Sequence, residues 1–322
     1  MKKDKQEPDF KTKTLEMIKL VDNEIYKGNY EQAVIYAIDA VNTANAADAE
    51  TLAKSLMTLS NAYTYKRNYI DALEYAIQAI VVQENNPMGS QLVLADGYFQ
   101  AGKVYQAWGI PQKAVEYFQK AYILYEEIQN TTKIPMVLEV LGDCYFQLKD
   151  EQNSLVVLQK HIQLTSDKKD KRPYMKSLSL LALIFKESRE YEKALAYTND
   201  YLAVCEGLKD EWAIAEARHN MGYLYRQVQQ LQESVSSLQY AIALFEKLQN
   251  PQPDAFNNLG ITNSYLKEFQ KAAEYYDKAL MIYQQTYDAQ GIAETKNYRA
   301  TNEYLQGKYS QALKWVSEAI DI

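Results

Sequence analysis

Two histidines, two cysteines, paired carboxylates and a set of asparagines inside helical stretches are the residues of this 322-residue chain whose types could do chemistry. A histidine metal site needs further ligands one helical turn away, so that side chains converge on one ion. His161 has no carboxylate or cysteine at that spacing and reads as a packed or edge histidine. His219 has Glu216 one turn before it and Tyr223 one turn after it, a polar cluster short of a metal set. Cys144 and Cys205 are far apart, and neither has a partner at metal-ligand spacing. Cys144 lies in Leu141-Gly142-Asp143-Cys144-Tyr145, a core-facing stretch, and reads as a buried thiol. Gly102, Gly142, Gly222 and Gly260 are isolated, so no glycine-rich phosphate loop forms, and no Gly-x-Ser-x-Gly elbow is present. Glu126 and Glu127 fall on a polar helix face. These patterns point to a non-enzyme without metal or cofactor.

The asparagines carry a different chemistry. Asparagine in a helix interior is mildly unfavourable, so Asn220, Asn258 and Asn297 need a reason to be there. An amide donates and accepts at once. A row of amides can therefore pair with the backbone of an extended peptide, and it can equally bond adjacent helices to each other. Both readings stand at this point. In the first, replacing Asn220 and Asn258 by alanine weakens ligand binding and leaves helix content unchanged.

The elements that position these groups repeat. Eight times a large residue or helix starter precedes a small residue by three places: Tyr30-x-x-Ala33, Tyr69-x-x-Ala72, Pro111-x-x-Ala114, Glu151-x-x-Ser154, Tyr191-x-x-Ala194, Leu231-x-x-Ser234, Phe269-x-x-Ala272 and Tyr309-x-x-Ala312. The small residues recur 39, 42, 40, 40, 40, 38 and 40 positions apart. So regular a period is the signature of a solenoid, in which each unit buries its apolar face against its neighbours. In the third unit, Ala101-Gly102-x-x-Tyr105 is followed by Gly109, Pro111, Ala114, Phe118 and Ala121. The small residues let two helices approach, and Tyr105 and Phe118 fill the space between units. Gly109 suits a left-handed helix end, and Pro111 suits a first helical position. The same skeleton returns at Leu59-Ser60-x-x-Tyr63, Leu141-Gly142-x-x-Tyr145, Leu181-Ala182-x-x-Phe185, Met221-Gly222-x-x-Tyr225 and Leu259-Gly260.

Over about Thr14 to Ile322 this skeleton resembles the tetratricopeptide repeat family. The family's common period is about 34 residues, so helices longer by about a turn are expected here. Repeats of this length are similar to those of bacterial sensory and regulatory proteins and of cargo and polarity adaptors. The resemblance implies an all-α fold, a right-handed superhelix of about eight helix-turn-helix repeats whose first helices line the concave side. It also implies that Asn, Lys and Arg on that side hold a peptide. The concave positions are Asn61 and Tyr65 in the second unit and Gln100, Lys103 and Gln106 in the third. Lys186 follows in the fifth, and His219, Asn220, Tyr223 and Arg226 in the sixth. Asn257, Asn258, Ile261 and Tyr265 come from the seventh, and Asn297, Tyr298 and Thr301 from the eighth. Some relatives grip a C-terminal carboxylate with paired Lys and Asn, and the sequence shows no clean set of that kind.

Composition bounds the rest. Apolar residues make up 47% of the chain, with only 11 Gly and 7 Pro, which supports a continuous helical core. The 28 tyrosines serve repeat cores, a groove lined with rings, or both. A net charge of −7 disfavours general nucleic-acid binding. The basic stretch Lys168, Lys169, Lys171 and Arg172 is diluted by Asp167 and Asp170 in an expected loop. No secretory leader and no membrane-spanning run are visible, so a cytoplasmic location is expected, with a mature periplasmic fragment as the alternative. Residues 1–13 are expected to be a loose, charged tail, and 14–322 one array without a C-terminal capping helix. Trp315, Val316, Ala319 and Ile320 would then face a partner chain, a second copy or a downstream domain. The leading reading is a scaffold or sensor that holds a protein or peptide segment in its groove. The alternative is the input region of a larger signalling protein, such as a histidine kinase or transcription regulator.

Overall fold

Eight antiparallel helix pairs make up the computed structural model, which describes residues 9–322. In order the pairs are α1 (Phe10–Tyr26) with α2 (Tyr30–Ala44), α3 (Ala49–Tyr65) with α4 (Tyr69–Glu84), α5 (Gln91–Ala107) with α6 (Pro111–Glu127), and α7 (Lys133–Gln147) with α8 (Glu151–Thr165). There follow α9 (Arg172–Glu187) with α10 (Tyr191–Leu208), α11 (Glu211–Gln227) with α12 (Leu231–Lys247), α13 (Pro253–Tyr265) with α14 (Phe269–Gln285), and α15 (Ala289–Leu305) with α16 (Tyr309–Ile320). No strand occurs among the described residues. Every residue that opens the repeated motif is the first residue of a second helix.

The turn inside each pair has one construction. Two residues before each second helix the backbone turns left-handed: at Gly28, Arg67, Gly109, Lys149, Arg189, Gln229, Lys267 and Gly307. The next N–H reaches back five residues to close the ending helix, as in Asn68 N to Tyr63 O at 3.0 Å and Gln230 N to Tyr225 O at 2.9 Å. That bond satisfies a carbonyl the helix end would otherwise leave open. Several first helices are started by aspartate, with Asp48, Asp210 and Asp288 each accepting from the N–H three residues on.

Packing follows from side-chain size. The motif alanines Ala33, Ala72, Ala114, Ala194 and Ala272 are fully buried. At two of the same positions serine stands in, and its hydroxyl donates to the facing helix: Ser154 to Gly142 O at 2.8 Å and Ser234 to Gly222 O at 2.7 Å. A Cβ on Gly222 would lie 2.4 Å from Cγ of Leu238, so only glycine lets α11 and α12 close to this distance. The resulting cores are apolar and ring-rich, with Phe118, Tyr125, Phe245 and Tyr276 among the buried side chains. Two of the tyrosines keep a polar outlet, since Tyr125 Oη donates to Asp96 and Tyr283 Oη to Asp254, both at 2.5 Å.

The chain divides into two units, one ending at Asp167 and one beginning at Lys168. In unit 1, α1 packs on α3 and α3 on α5; in unit 2, α11 packs on α13 and α13 on α15. The second helices have no comparable contact with one another, so the first helices form the inner layer of each unit. Three expectations from sequence are refined. Phe10–Lys13, assigned to a loose tail, belong to α1, because Asp9 caps the helix by accepting from Thr12 N at 3.1 Å; residues 1–8 lie outside the described residues. The expectation of one array stands beside a division into two compact units. At the far edge, Val316 and Ile320 are exposed, whereas the Arg299 guanidinium lies 5.5 Å from the Trp315 ring centre.

Candidate functional site

The first helices are tied together by side-chain rungs, and these rungs decide which sequence candidates are free to meet a ligand. In unit 1, Gln100 is buried and donates to Ser60 Oγ at 3.1 Å. Lys103 Nζ donates to Asn61 Oδ1 at 3.4 Å, and Gln106 Nε2 to Asp143 at 2.9 Å. In unit 2, Asn257 is buried and donates to Thr295 Oγ1 at 2.8 Å, and Ser264 donates to Asn302 at 2.8 Å. Gln100 and Asn257 therefore point between helices and not onto the open face. A helical position next to the groove is also next to the neighbouring helix, and residue type alone does not choose between them.

The densest polar group is in unit 2. Arg226, in the last turn of α11, is buried and has no carboxylate within ion-pair distance among the described residues. Its guanidinium donates to Asn258 O at 3.0 Å, Asn258 Oδ1 at 2.9 Å and Thr262 Oγ1 at 3.4 Å. Because the Asn258 oxygen faces a guanidinium, its amide nitrogen is the atom that meets His219 Nε2, at 2.9 Å. His219 Nε2 must then accept, which makes the imidazole neutral with its proton on Nδ1. Burial pushes the His219 pKa down, with Lys186 and Arg226 acting in the same direction and Asp254 opposing them. Burial likewise lowers the pKa of Arg226. An unpaired buried charge is costly, and here it is offset only by neutral acceptors and by rings.

The rings line the same face. Tyr223 has the Arg226 guanidinium 5.3 Å and Lys186 Nζ 5.8 Å from its ring centre, and Tyr191 meets it edge-on at 6.5 Å. Tyr298 stacks on Tyr276 at 6.3 Å, and Tyr265 is largely exposed. Asn220 is exposed and lines a cavity of about 220 Å³ with Lys186, Glu216, Tyr201 and Ser179. Asn297 is exposed and lines an apolar cavity of about 480 Å³ with Thr301, Tyr304, Tyr309, Leu313 and Val316. The three asparagines thus separate: Asn220 and Asn297 are open, and Asn258 is spent on holding Arg226 and His219.

Unit 1 carries a second inner cavity, also about 480 Å³, lined by Tyr30, Asn61, Thr64, Tyr65, Arg67 and Lys103 among others. The structure brings Lys103 and Asn61 together here, although they are 42 residues apart, a pairing the sequence did not reveal. Tyr30, a repeat-motif residue, and Arg67, which sequence did not single out, both line this cavity. Among the described residues no group of three or more His, Cys, Asp or Glu could hold a metal ion. No described helix is long and apolar enough to cross a membrane. Cys144 and Cys205 are both buried, and burial raises the Cys205 pKa to about 11, which disfavours a nucleophilic thiolate.

Comparison with known proteins agrees with this architecture. No curated protein matches the chain. Among solved structures the chain is similar to the apo form of RapI, at 14% identity over 96% of each chain with a TM-score of 0.77. It is also similar to aspartyl phosphate phosphatase F from Bacillus subtilis, at 14% identity over 100% of this chain and 95% of that one with a TM-score of 0.58. A Rap protein complexed with Competence and Sporulation Factor aligns at 16% identity over 97% and 86% with a TM-score of 0.53. At these identities the likeness is one of fold. Tetratricopeptide repeat models match residues 213–285 and 252–322, 52–85, and 95–126, which are helix pairs of the inner and outer layers described above. The chain belongs to the tetratricopeptide repeat family.

Proposed function

We propose that the chain is a protein-binding scaffold or sensor whose unit 2 inner face holds an extended peptide segment, with Arg226 receiving an acidic group of that segment. The observation that carries this reading is a buried guanidinium with only neutral partners, set among Tyr223, Tyr265 and Tyr298. Structural arginines at such burial ordinarily face a carboxylate. Here Nε and part of the second amino group make no hydrogen bond to protein, so donors remain for a ligand. Asn220 is open to pair with peptide backbone, and the exposed Tyr265 ring can cover an apolar side chain. The fold likeness to a Rap protein solved in complex with Competence and Sporulation Factor is in keeping with a binding role. We read the chain as non-catalytic on the same ground: the polar side chains of this face hold one another, and His219 is a neutral acceptor already engaged.

The test is selection from a random peptide display library on the wild-type chain, with Arg226→Met as the counter-target. Enrichment of sequences that share an acidic residue, lost on the counter-target, supports the reading. No enrichment, or equal enrichment on both, removes it. A second reading, the input region of a larger signalling protein or a homodimer, has its own support at the α15–α16 edge. There Tyr309, Leu313, Val316 and Ile320 recur at alternating four- and three-residue spacing and are exposed. The counterparts of Leu313, Val316 and Ile320 one repeat earlier, Ala273, Tyr276 and Leu280, are buried. A concentration-independent monomer in light scattering would argue against the homodimer.

A further inference from the structure

We propose that the unit 1 inner cavity binds a phosphate monoester carried on a planar ring. The inference stands apart from the peptide reading of unit 2, because no residue is shared. It rests first on an imbalance of hydrogen-bonding groups. Asn61 Oδ1 is occupied by Lys103, so what the cavity still offers is mainly donors. These are the remaining hydrogens of Lys103 Nζ, the Asn61 amide nitrogen and the whole Arg67 guanidinium, none of which bonds to another described group. Tyr30, Tyr65 and Tyr69 also line it. Gln106 also lines the recess and, with its amide nitrogen spent on Asp143, keeps an acceptor oxygen; the charged donors still outnumber it and favour an oxyanion.

The second observation is charge. Lys103 and Arg67 both line the cavity, and no carboxylate does. Of the carboxylates behind the lining, Asp96 pairs with Lys133 at 2.8 Å, and Asp143 is held by the neutral amides of Gln106 at 2.9 Å and Gln147 at 3.2 Å and keeps its charge. Lys103 has no ion pair, and burial followed by the charge of Lys133 lowers its pKa, so an arriving anion relieves an existing cost. A carboxylate neutralises one of the two cations. A phosphate monoester, at close to two negative charges near pH 7, neutralises both.

The third observation is the wall. Tyr30 and Tyr65 stack at 5.9 Å with an interplanar angle of 19°, and Tyr69 stacks on Trp108 at 6.0 Å. Tyr30, Tyr65 and Tyr69 line the same volume of about 480 Å³ as Lys103 and Arg67, enough for a ring and its phosphate. Inorganic phosphate would use the cations and leave the rings idle.

Phenyl phosphate, benzoate and inorganic phosphate are titrated calorimetrically into the wild-type chain, and Trp108, stacked on the lining residue Tyr69, provides a fluorescence readout. The expected order is phenyl phosphate at least about tenfold tighter than either of the others. Lys103→Met should weaken phenyl phosphate by about tenfold or more, the size of a lost charge-assisted bond. Arg67→Gly should weaken it as well, and glycine suits the left-handed backbone there, φ 62°, so the fold is preserved. Circular dichroism of both variants serves as the folding control. No binding of phenyl phosphate, or binding that Lys103→Met leaves unchanged, overturns the site. Equal affinity for benzoate overturns the assignment to phosphate, and equal affinity for inorganic phosphate overturns the role of the rings. The unit 2 variant Arg226→Met should bind phenyl phosphate as wild type does, which keeps a failure here distinct from a failure of the peptide reading.

Discussion

If Arg226 is kept for a ligand and Asn258 is kept to hold Arg226, removing the holder should cost more stability than removing the charge. Asn258→Ala deletes the 2.9 Å bond from the guanidinium and the 2.9 Å bond to His219. A hydrogen bond to a charged group contributes about 1.5–3 kcal/mol and a neutral one about 1 kcal/mol. The guanidinium keeps its 3.0 Å bond to the Asn258 carbonyl and a weaker one to Thr262, so the loss is expected near the lower end, about 2–3 kcal/mol. Arg226→Met removes the guanidinium's bonds to Asn258 and Thr262, leaves the Asn258–His219 bond in place, and also removes the buried charge that has no carboxylate opposite it. Replacing buried charge by an apolar chain of similar volume is often neutral, so a cost within about 1 kcal/mol is expected. In the double variant Asn258 no longer has a guanidinium to hold, and the two costs should fall short of their sum by about 1 kcal/mol or more. Urea unfolding followed by circular dichroism gives the cycle. If Arg226→Met destabilises as much as Asn258→Ala and the two add, Arg226 is a structural residue and the reasoning fails.

Three further outcomes follow from particular contacts. Gly222→Ala places a Cβ 2.4 Å from Leu238 Cγ and should cost about 1–3 kcal/mol in the same unfolding assay; a neutral result would mean that α11 and α12 can part without loss. Gly109→Ala meets nothing within 4 Å, so its expected cost of about 1 kcal/mol is purely that of a left-handed alanine at φ 80°, while Gln229→Gly at the equivalent turn should gain a similar amount. Burial holds the His219 pKa below the unfolded value of about 6.5, so between the two the unfolded chain binds more protons. Stability from this site is full above pH 6.5 and declines as pH falls, and His219→Gln should flatten that decline; an unchanged pH profile would place the titration elsewhere.

Much of the fold was legible because it repeats. The motif residues Tyr30 through Tyr309 each open a second helix, since a period near 40 imposes one local solution eight times. Several left-handed turns were not legible, because Arg67, Lys149 and Gln229 occupy a conformation that glycine marks at Gly109. Their strain is set by the Schellman-type bond and the packing of the pair, which sequence does not display. The candidate site was half legible. Asn220 is exposed, whereas Gln100, Asn257 and Arg226 are all buried and bond to the neighbouring first helix. The three asparagines look alike in sequence, yet Asn258 is fixed by Arg226 and His219, partners 32 and 39 residues away. Because Asn258 is committed to structure, Asn220→Ala alone is the cleaner probe of peptide pairing.

The most direct measurement is the calorimetric affinity of one display-selected acidic peptide for the wild type and for Arg226→Met, with folding of both verified by circular dichroism. A loss of about tenfold or more in the variant, abolished when the peptide's acidic residue is replaced by its amide, is the predicted result. Equal affinity of the two proteins would contradict the claim that the unit 2 inner face receives its ligand through Arg226.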